Sequence, residues 1–290
     1  MPLAVLTLDF DPLLHIGDSV SVRSETVVLA LALLGGILLA ARIGRQTPAV
    51  GPYVPAPGLR ADDLMFILVG AVPGAVVGAR LGYVLDHIDY YQANVSSIAD
   101  PSQGGFGLTL AVPLGILTGA LIARLLGAPV ARWMHATAFP LLFVLGTGKL
   151  AAILGASGQG LPSDLPWATA YTGPGPWESL AADVPSHPSA VYEAIGVCVA
   201  ILVLILAQRI EVVARRDGAA LYVALGLWAI VRFGVAFTWR DPLVAGPLRA
   251  DQLLSLLLLA LAVAGIVERS RAPFLTVDLA DGAPEAEPAR

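Results

Sequence analysis

Seven apolar stretches alternate with polar segments along the chain, at roughly 26–43, 63–85, 106–126, 134–154, 189–208, 218–238 and 251–268. Each approaches the ~20 residues an α-helix needs to cross a bilayer core. The pattern predicts an all-α fold, a polytopic membrane bundle of seven transmembrane helices over 26–268. Residues 1–25 carry Asp9, Asp11 and Asp18 and lack a basic start, so they read as an extracytoplasmic segment and not as a cleaved signal peptide. Residues 269–290 are rich in Pro, Ala and acid and are expected to form a disordered cytoplasmic tail.

Arginine placement predicts the orientation. With the N-terminus outside, the cytoplasmic segments hold eleven arginines: Arg42, Arg45, Arg60, Arg124, Arg132, Arg209, Arg215, Arg216, Arg269, Arg271 and Arg290. The outer segments hold three, Arg23, Arg240 and Arg249. This is the positive-inside bias, and it puts the C-terminus in the cytoplasm. The longest stretch between spans, 155–188, is rich in Gly and Pro and carries Trp167, Tyr171 and Trp177. Such rings favour the membrane–water interface, so the segment is expected to cap the outer mouth of the bundle.

Within the spans, Gly70, Gly74, Gly78 and Gly82 recur every four residues, the spacing that lets two helices approach closely. Pro73, Pro113 and Pro140 interrupt the backbone hydrogen bonding of three spans and predict kinks.

Composition agrees with the membrane reading. Of the 290 residues 57% are hydrophobic and 13% charged, against roughly 25% charged in ordinary soluble domains. The net charge of −5 excludes a nucleic-acid binder, which needs a basic excess. The one cysteine, Cys198, excludes an internal disulfide and a Cys-based zinc site; it reads as a buried small apolar residue.

Four charges fall inside spans: Arg80, Lys149, Arg232 and Glu193. A charge at bilayer depth costs a few kcal/mol or more and needs a reason. All four fall in the outer-leaflet half of the predicted topology. Snorkelling to the headgroups is one reading, especially for Lys149 near its span's end. A structural Arg–Glu pair through Glu193 is another. A third is a net-positive, partly desolvated pocket for an anionic lipid headgroup, whose phosphate oxygens suit a guanidinium fork. Tyr83 and His87 follow Arg80 on the same helix face. Pro188 suits the first turn of the fifth span, which leaves His187 near the N-cap, as a cap or as a base at the pocket mouth.

Three segments resemble the prolipoprotein diacylglyceryl transferases. Gly78-Ala79-Arg80-Leu81-Gly82-Tyr83-Val84-Leu85 is similar to that family's G-[GA]-R-L-G-Y-V-L. His187-Pro188-Ser189-Ala190-Val191-Tyr192-Glu193-Ala194 is similar to H-P-S-Q-L-Y-E-A. Arg232-Phe233, followed by Asp251-Gln252-Leu253-Leu254-Ser255, resembles the R-F and G-Q-W-L-S of the last two helices. The signature G-R-x-[GA]-N-F-x-N-x-E-x-x-G aligns with Gly148 to Gly160, with Lys149 in place of the arginine and without the two asparagines and the glutamate. Thr109 stands where the family has a histidine, and Ala236 where it has a glutamate.

The resemblance implies a multi-pass protein of the bacterial plasma membrane. Its activity would be transfer of diacylglyceryl from phosphatidylglycerol, or another anionic phospholipid, to the lipobox cysteine thiol of a secreted precursor. No metal or cofactor is called for. By the same resemblance His187, Arg232 and Glu193 are the catalytic candidates, and Arg80, Tyr83, Lys149, Gly160 and Tyr192 the substrate-binding ones. His87 is a second candidate base. A non-catalytic protein that binds phospholipid or lipoprotein precursor is the alternative, and a transporter or flippase for a small anion rests on the buried cations alone.

Overall fold

The computed structural model describes residues 5–17, 20–47, 59–100, 107–179, 181–214 and 216–271. The tail beyond Arg271, expected to be disordered, lies outside the described residues. Among the described residues seven helices are long and apolar enough to cross a membrane. They are α1 (Ser24–Gln46), α2 (Ala61–Asp86), α4 (Leu108–Leu125), α5 (Val130–Leu154), α6 (Ser189–Ala207), α8 (Ala219–Val235) and α9 (Ala250–Arg271). Two short helices, α3 (Ile88–Ala93) and α7 (Glu211–Ala214), lie in connections. The long helices match the seven apolar stretches to within a few residues. Helices α2, α4 and α5 run on through Pro73, Pro113 and Pro140.

Small strands gather at one end of the bundle. Strand β1 (Leu6–Leu8) pairs in parallel with β4 (Thr169–Tyr171), tying the N-terminal segment to the 155–188 connection. β2 (Leu13–Ile16) and β3 (Val20–Arg23) form an antiparallel pair, and β5 (Leu243–Ala245) with β6 (Leu248–Arg249) forms another between α8 and α9. The 155–188 connection is clamped at its base. Gly160 N–H donates to the His187 carbonyl at 2.7 Å, and Leu161 N–H donates to that of Thr238 at 2.7 Å.

Small residues set the helix spacing. On α2, a side chain at Gly74 would collide with Thr118 of α4, and one at Gly78 with the backbone carbonyl of Leu110. The four-residue glycine repeat therefore packs α2 directly against the backbone of α4. On α1 the buried residues Ala32, Gly36, Ala40 and Gly44 follow the same spacing and face α5. The main core lies among α5, α6, α8 and α9, around Leu142, Val197, Leu204, Leu221 and Trp228. The outer faces carry exposed Leu31, Val69, Leu202 and Leu261, each more than half accessible. An apolar exterior of this kind suits a lipid solvent. Cys198 corrects an expectation: it is exposed on this outer face of α6, not buried.

Candidate active site

Four helices meet through charge. Glu193, one turn into α6, is fully buried. Its Oε2 lies 2.9 Å from Nη1 of Arg232 on α8 and 3.1 Å from Nζ of Lys149 on α5. The Nη2 of Arg232 pairs with Oδ2 of Asp251, in the first turn of α9. A fifth element joins through Thr109 of α4, whose hydroxyl donates to Asp251 Oδ1 and accepts from Arg232 Nε at 3.4 Å. Arg232 thus spends all three of its nitrogens within the cluster. Lys149 has three N–H donors, of which one is spent on Glu193, and it lies 5.0 Å from the centre of the Trp239 ring.

Buried ion pairs of this kind are held by mutual compensation. Each charge has lost its water, and the attraction offsets that loss only while the partners are present. The cluster contains two cations and two carboxylates, so it is neutral as a unit. Snorkelling does not describe Lys149 or Arg232, both of which turn inward. The Arg–Glu pair is present.

A cavity of about 230 Å³ opens beside this cluster. It is lined by Tyr83, Asp86 and His87 from the end of α2, Gly107 and Leu108 at the start of α4, Lys149, Arg232, Trp239, Asp241 and Asp251. The expected net-positive pocket is corrected here. Lys149 and Arg232 face it, but so do three carboxylates, because Asp86, Asp241 and Asp251 come from connections and helix ends that meet at this point. Burial, and secondarily the charge of Asp251, holds the Asp241 carboxyl above the usual carboxylate range; Arg232, His87 and Arg249 oppose the shift.

The sequence candidates divide into three places. Tyr83, Lys149 and Arg232 line the cavity, with Glu193 directly behind the two cations. Arg80 is outside the cavity lining, with its guanidinium 6.0 Å from the centre of the Tyr83 ring. It donates to the backbone carbonyls of Ile98 at 2.8 Å, Ser97 at 2.6 Å and Asp100 at 3.2 Å, and its guanidinium lies 5.3 Å from the Tyr91 ring. It fastens the segment after α3 to α2. His187, Tyr192 and Gly160 form a third neighbourhood, apart from the cavity lining. His187 Nδ1 lies 3.4 Å from the Tyr192 hydroxyl, which accepts from Trp167 Nε1 at 2.7 Å. Glu193 orients Arg232 and Lys149, not His187.

Asp86, Asp241, Asp251 and Trp239 were not among the candidates. Asp251 carried a signal, being an acid at the edge of an apolar stretch. Asp86 closes α2 and Asp241 sits in the polar connection after α8, places where an acid looks ordinary until the fold brings it to a cavity.

Seven helices long and apolar enough to cross a membrane define the class as a multi-pass membrane protein, here with a charged cavity among the helices. The comparisons identify which. The family model for prolipoprotein diacylglyceryl transferase matches residues 12–268, and the chain belongs to that family. A phosphatidylglycerol–prolipoprotein diacylglyceryl transferase of Geobacter sulfurreducens is 31% identical over 224 residues, covering 73% of this chain and 81% of its own length. One of Nostoc sp. is 26% identical over 273 residues and covers 92% of both chains. One of Ruegeria pomeroyi is 30% identical over 236 residues, or 73% of this chain and 74% of its own.

Proposed function

We propose that this protein transfers the diacylglyceryl group of phosphatidylglycerol to the thiol of a lipobox cysteine in a secreted precursor. Membership of the family supports the reaction class. The observation that carries the reading to this chain is the pairing of Lys149 and Arg232 at one cavity, both anchored on Glu193.

The chemistry asks for such a site. The thiolate attacks a glycerol carbon, an S–C bond forms, and the C–O bond to phosphate breaks. Glycerol phosphate leaves with the electron pair. Negative charge grows on the leaving oxygen, so a cation fixed beside it lowers the barrier. Lys149 suits this role, since its ammonium keeps free donors toward the cavity. Arg232 has its forks committed, so it holds Glu193 and Asp251 in place and adds its field. Tyr83 and Trp239 supply a ring wall for the glycerol part of the lipid.

The same reading places the chain in the bacterial plasma membrane with its N-terminus outside and residues 155–188 as an outer cap. The eleven-to-three arginine distribution supports this orientation. Cysteine accessibility at engineered positions in residues 155–188 and in α7 tests it.

A second reading is a phospholipid- or precursor-binding protein without turnover. The Thr109 contact favours it: the position that holds a histidine in the family carries a hydroxyl here, and that hydroxyl is spent on Asp251. Purified protein, incubated with phosphatidylglycerol and a lipobox peptide, decides between them by the mass of the peptide. Product supports the transferase. Lipid binding without product supports the second reading.

A further inference from the structure

The transferase reading leaves one step without an agent: something must take the proton of the thiol. The described residues contain four histidines, and one lines the cavity. His87 closes α2, with its ring stacked on that of Tyr83 at 4.2 Å between centres. Its Nδ1 lies 3.1 Å from the Tyr83 carbonyl oxygen. A carbonyl only accepts, so Nδ1 carries a hydrogen, and in the neutral ring the lone pair lies on Nε2. The stack and the hydrogen bond together fix both the tautomer and the ring plane. His187 meets Tyr192 edge-on at 6.1 Å between ring centres, and its Nδ1 lies 3.4 Å from the Tyr192 hydroxyl, which can donate or accept and so leaves the tautomer open; it is not in the cavity lining.

The geometry points to His87 as the proton acceptor for the incoming cysteine thiol. This rests on the transferase reading above. In the step, the S–H proton moves to His87 Nε2, the sulfur lone pair forms the S–C bond, and the C–O electron pair departs with glycerol phosphate. The proton then leaves the imidazolium for the leaving phosphate or for water. The cavity's ionisable groups surround this ring from several elements: Tyr83 and Asp86 on its own helix, Lys149 on α5, Arg232 on α8, Asp241 in the connection after it, and Asp251 on α9.

The test is transfer by the full chain in phosphatidylglycerol nanodiscs, with His87→Gln and His87→Ala beside wild type. A positioned general base contributes about 10²–10⁴-fold. His87→Gln should therefore lose about 10²-fold or more in kcat at pH 7 with the KM for lipid little changed. The deficit should shrink toward pH 9, where a thiol of pKa about 8.5 ionises unaided. The other cavity groups are common to both proteins, so the ratio of variant to wild type isolates the histidine. Added imidazole should restore part of the activity of His87→Ala. Equal unfolding temperatures exclude a folding defect.

A deficit independent of pH, no imidazole rescue, or a His87→Gln rate within a few-fold of wild type overturns the assignment. So does a deficit that shrinks toward pH 9 in His187→Gln and is absent from His87→Gln. Absence of product from wild type overturns the transferase reading itself, and the assignment with it.

Discussion

Arg232 and Asp251, nineteen positions apart, close the bond between α8 and α9 inside the membrane domain, with both side chains buried. Because Arg232 also holds Glu193, the three residues form one unit. If the arginine goes, Glu193 is left with Lys149 alone and Asp251 with only the Thr109 hydroxyl.

Arg232→Ala should therefore abolish transfer and also destabilise the fold. Removing one partner of a buried pair typically costs about 3–5 kcal/mol, most of it from the charges left behind. Arg232→Lys should recover part of the stability and little of the activity, since one ammonium cannot span two carboxylates and a hydroxyl. Thermal unfolding in detergent, run beside the transfer assay, separates the two effects. A fully active Arg232→Ala would remove this cluster from the mechanism.

Lys149 has a different status, because its donors are not all used. Lys149→Met should lower kcat by about 10²-fold, the usual effect of removing one donor from a developing oxyanion. Lys149→Arg restores a planar fork and should lower the KM for phosphatidylglycerol severalfold. Steady-state kinetics over a lipid titration reads both.

Asp241 predicts a pH dependence. Its carboxyl is held above the usual range by burial and by Asp251. An acid whose folded value is raised favours the fold when protonated. Its contribution is full below the ordinary aspartate value and is lost as pH rises through the elevated folded value. Asp241→Asn removes that loss. The variant should gain unfolding temperature relative to wild type near neutral pH, and the difference should close as pH is lowered to about 4. A gap that widens on acidification would contradict the sign.

Cys198 sits on the outer face of α6, away from cavity and core. Cys198→Ala should leave transfer intact and change stability by no more than about 0.5 kcal/mol, as for surface substitutions without a special contact. Loss of activity in this variant would place a functional surface where none is described.

The seven helices were legible because twenty consecutive apolar residues admit few other structures. The intramembrane charges were legible for the same reason: Lys149, Glu193 and Arg232 stand out against an apolar background. What each charge touches was not. Arg80 carries the family's motif, yet its guanidinium is spent on three backbone carbonyls seventeen to twenty residues away, contacts that no periodicity announces. His187 and Tyr192 shared a motif with Glu193, but a helix turns about 100° per residue. Glu193 faces the cluster, while the other two meet each other beyond the cavity lining. Cys198 could have been placed from Glu193, since the buried face of α6 runs Glu193, Val197, Ala200 and Leu204, and Cys198 falls off that line. The carboxylates of Asp86 and Asp241 had no such reference, because each lies where a helix has ended.

The buried cluster also has an order along the chain. Read from the N-terminus, its members arrive as lysine on α5, glutamate on α6, arginine on α8 and aspartate on α9. The signs alternate. Glu193 follows its partner Lys149 in sequence, Arg232 follows Glu193, and Asp251 follows Arg232. Counted in chain order, no stretch from the N-terminus carries more than one unmatched charge of the four, and a chain cut before α9 would be left with a surplus cation.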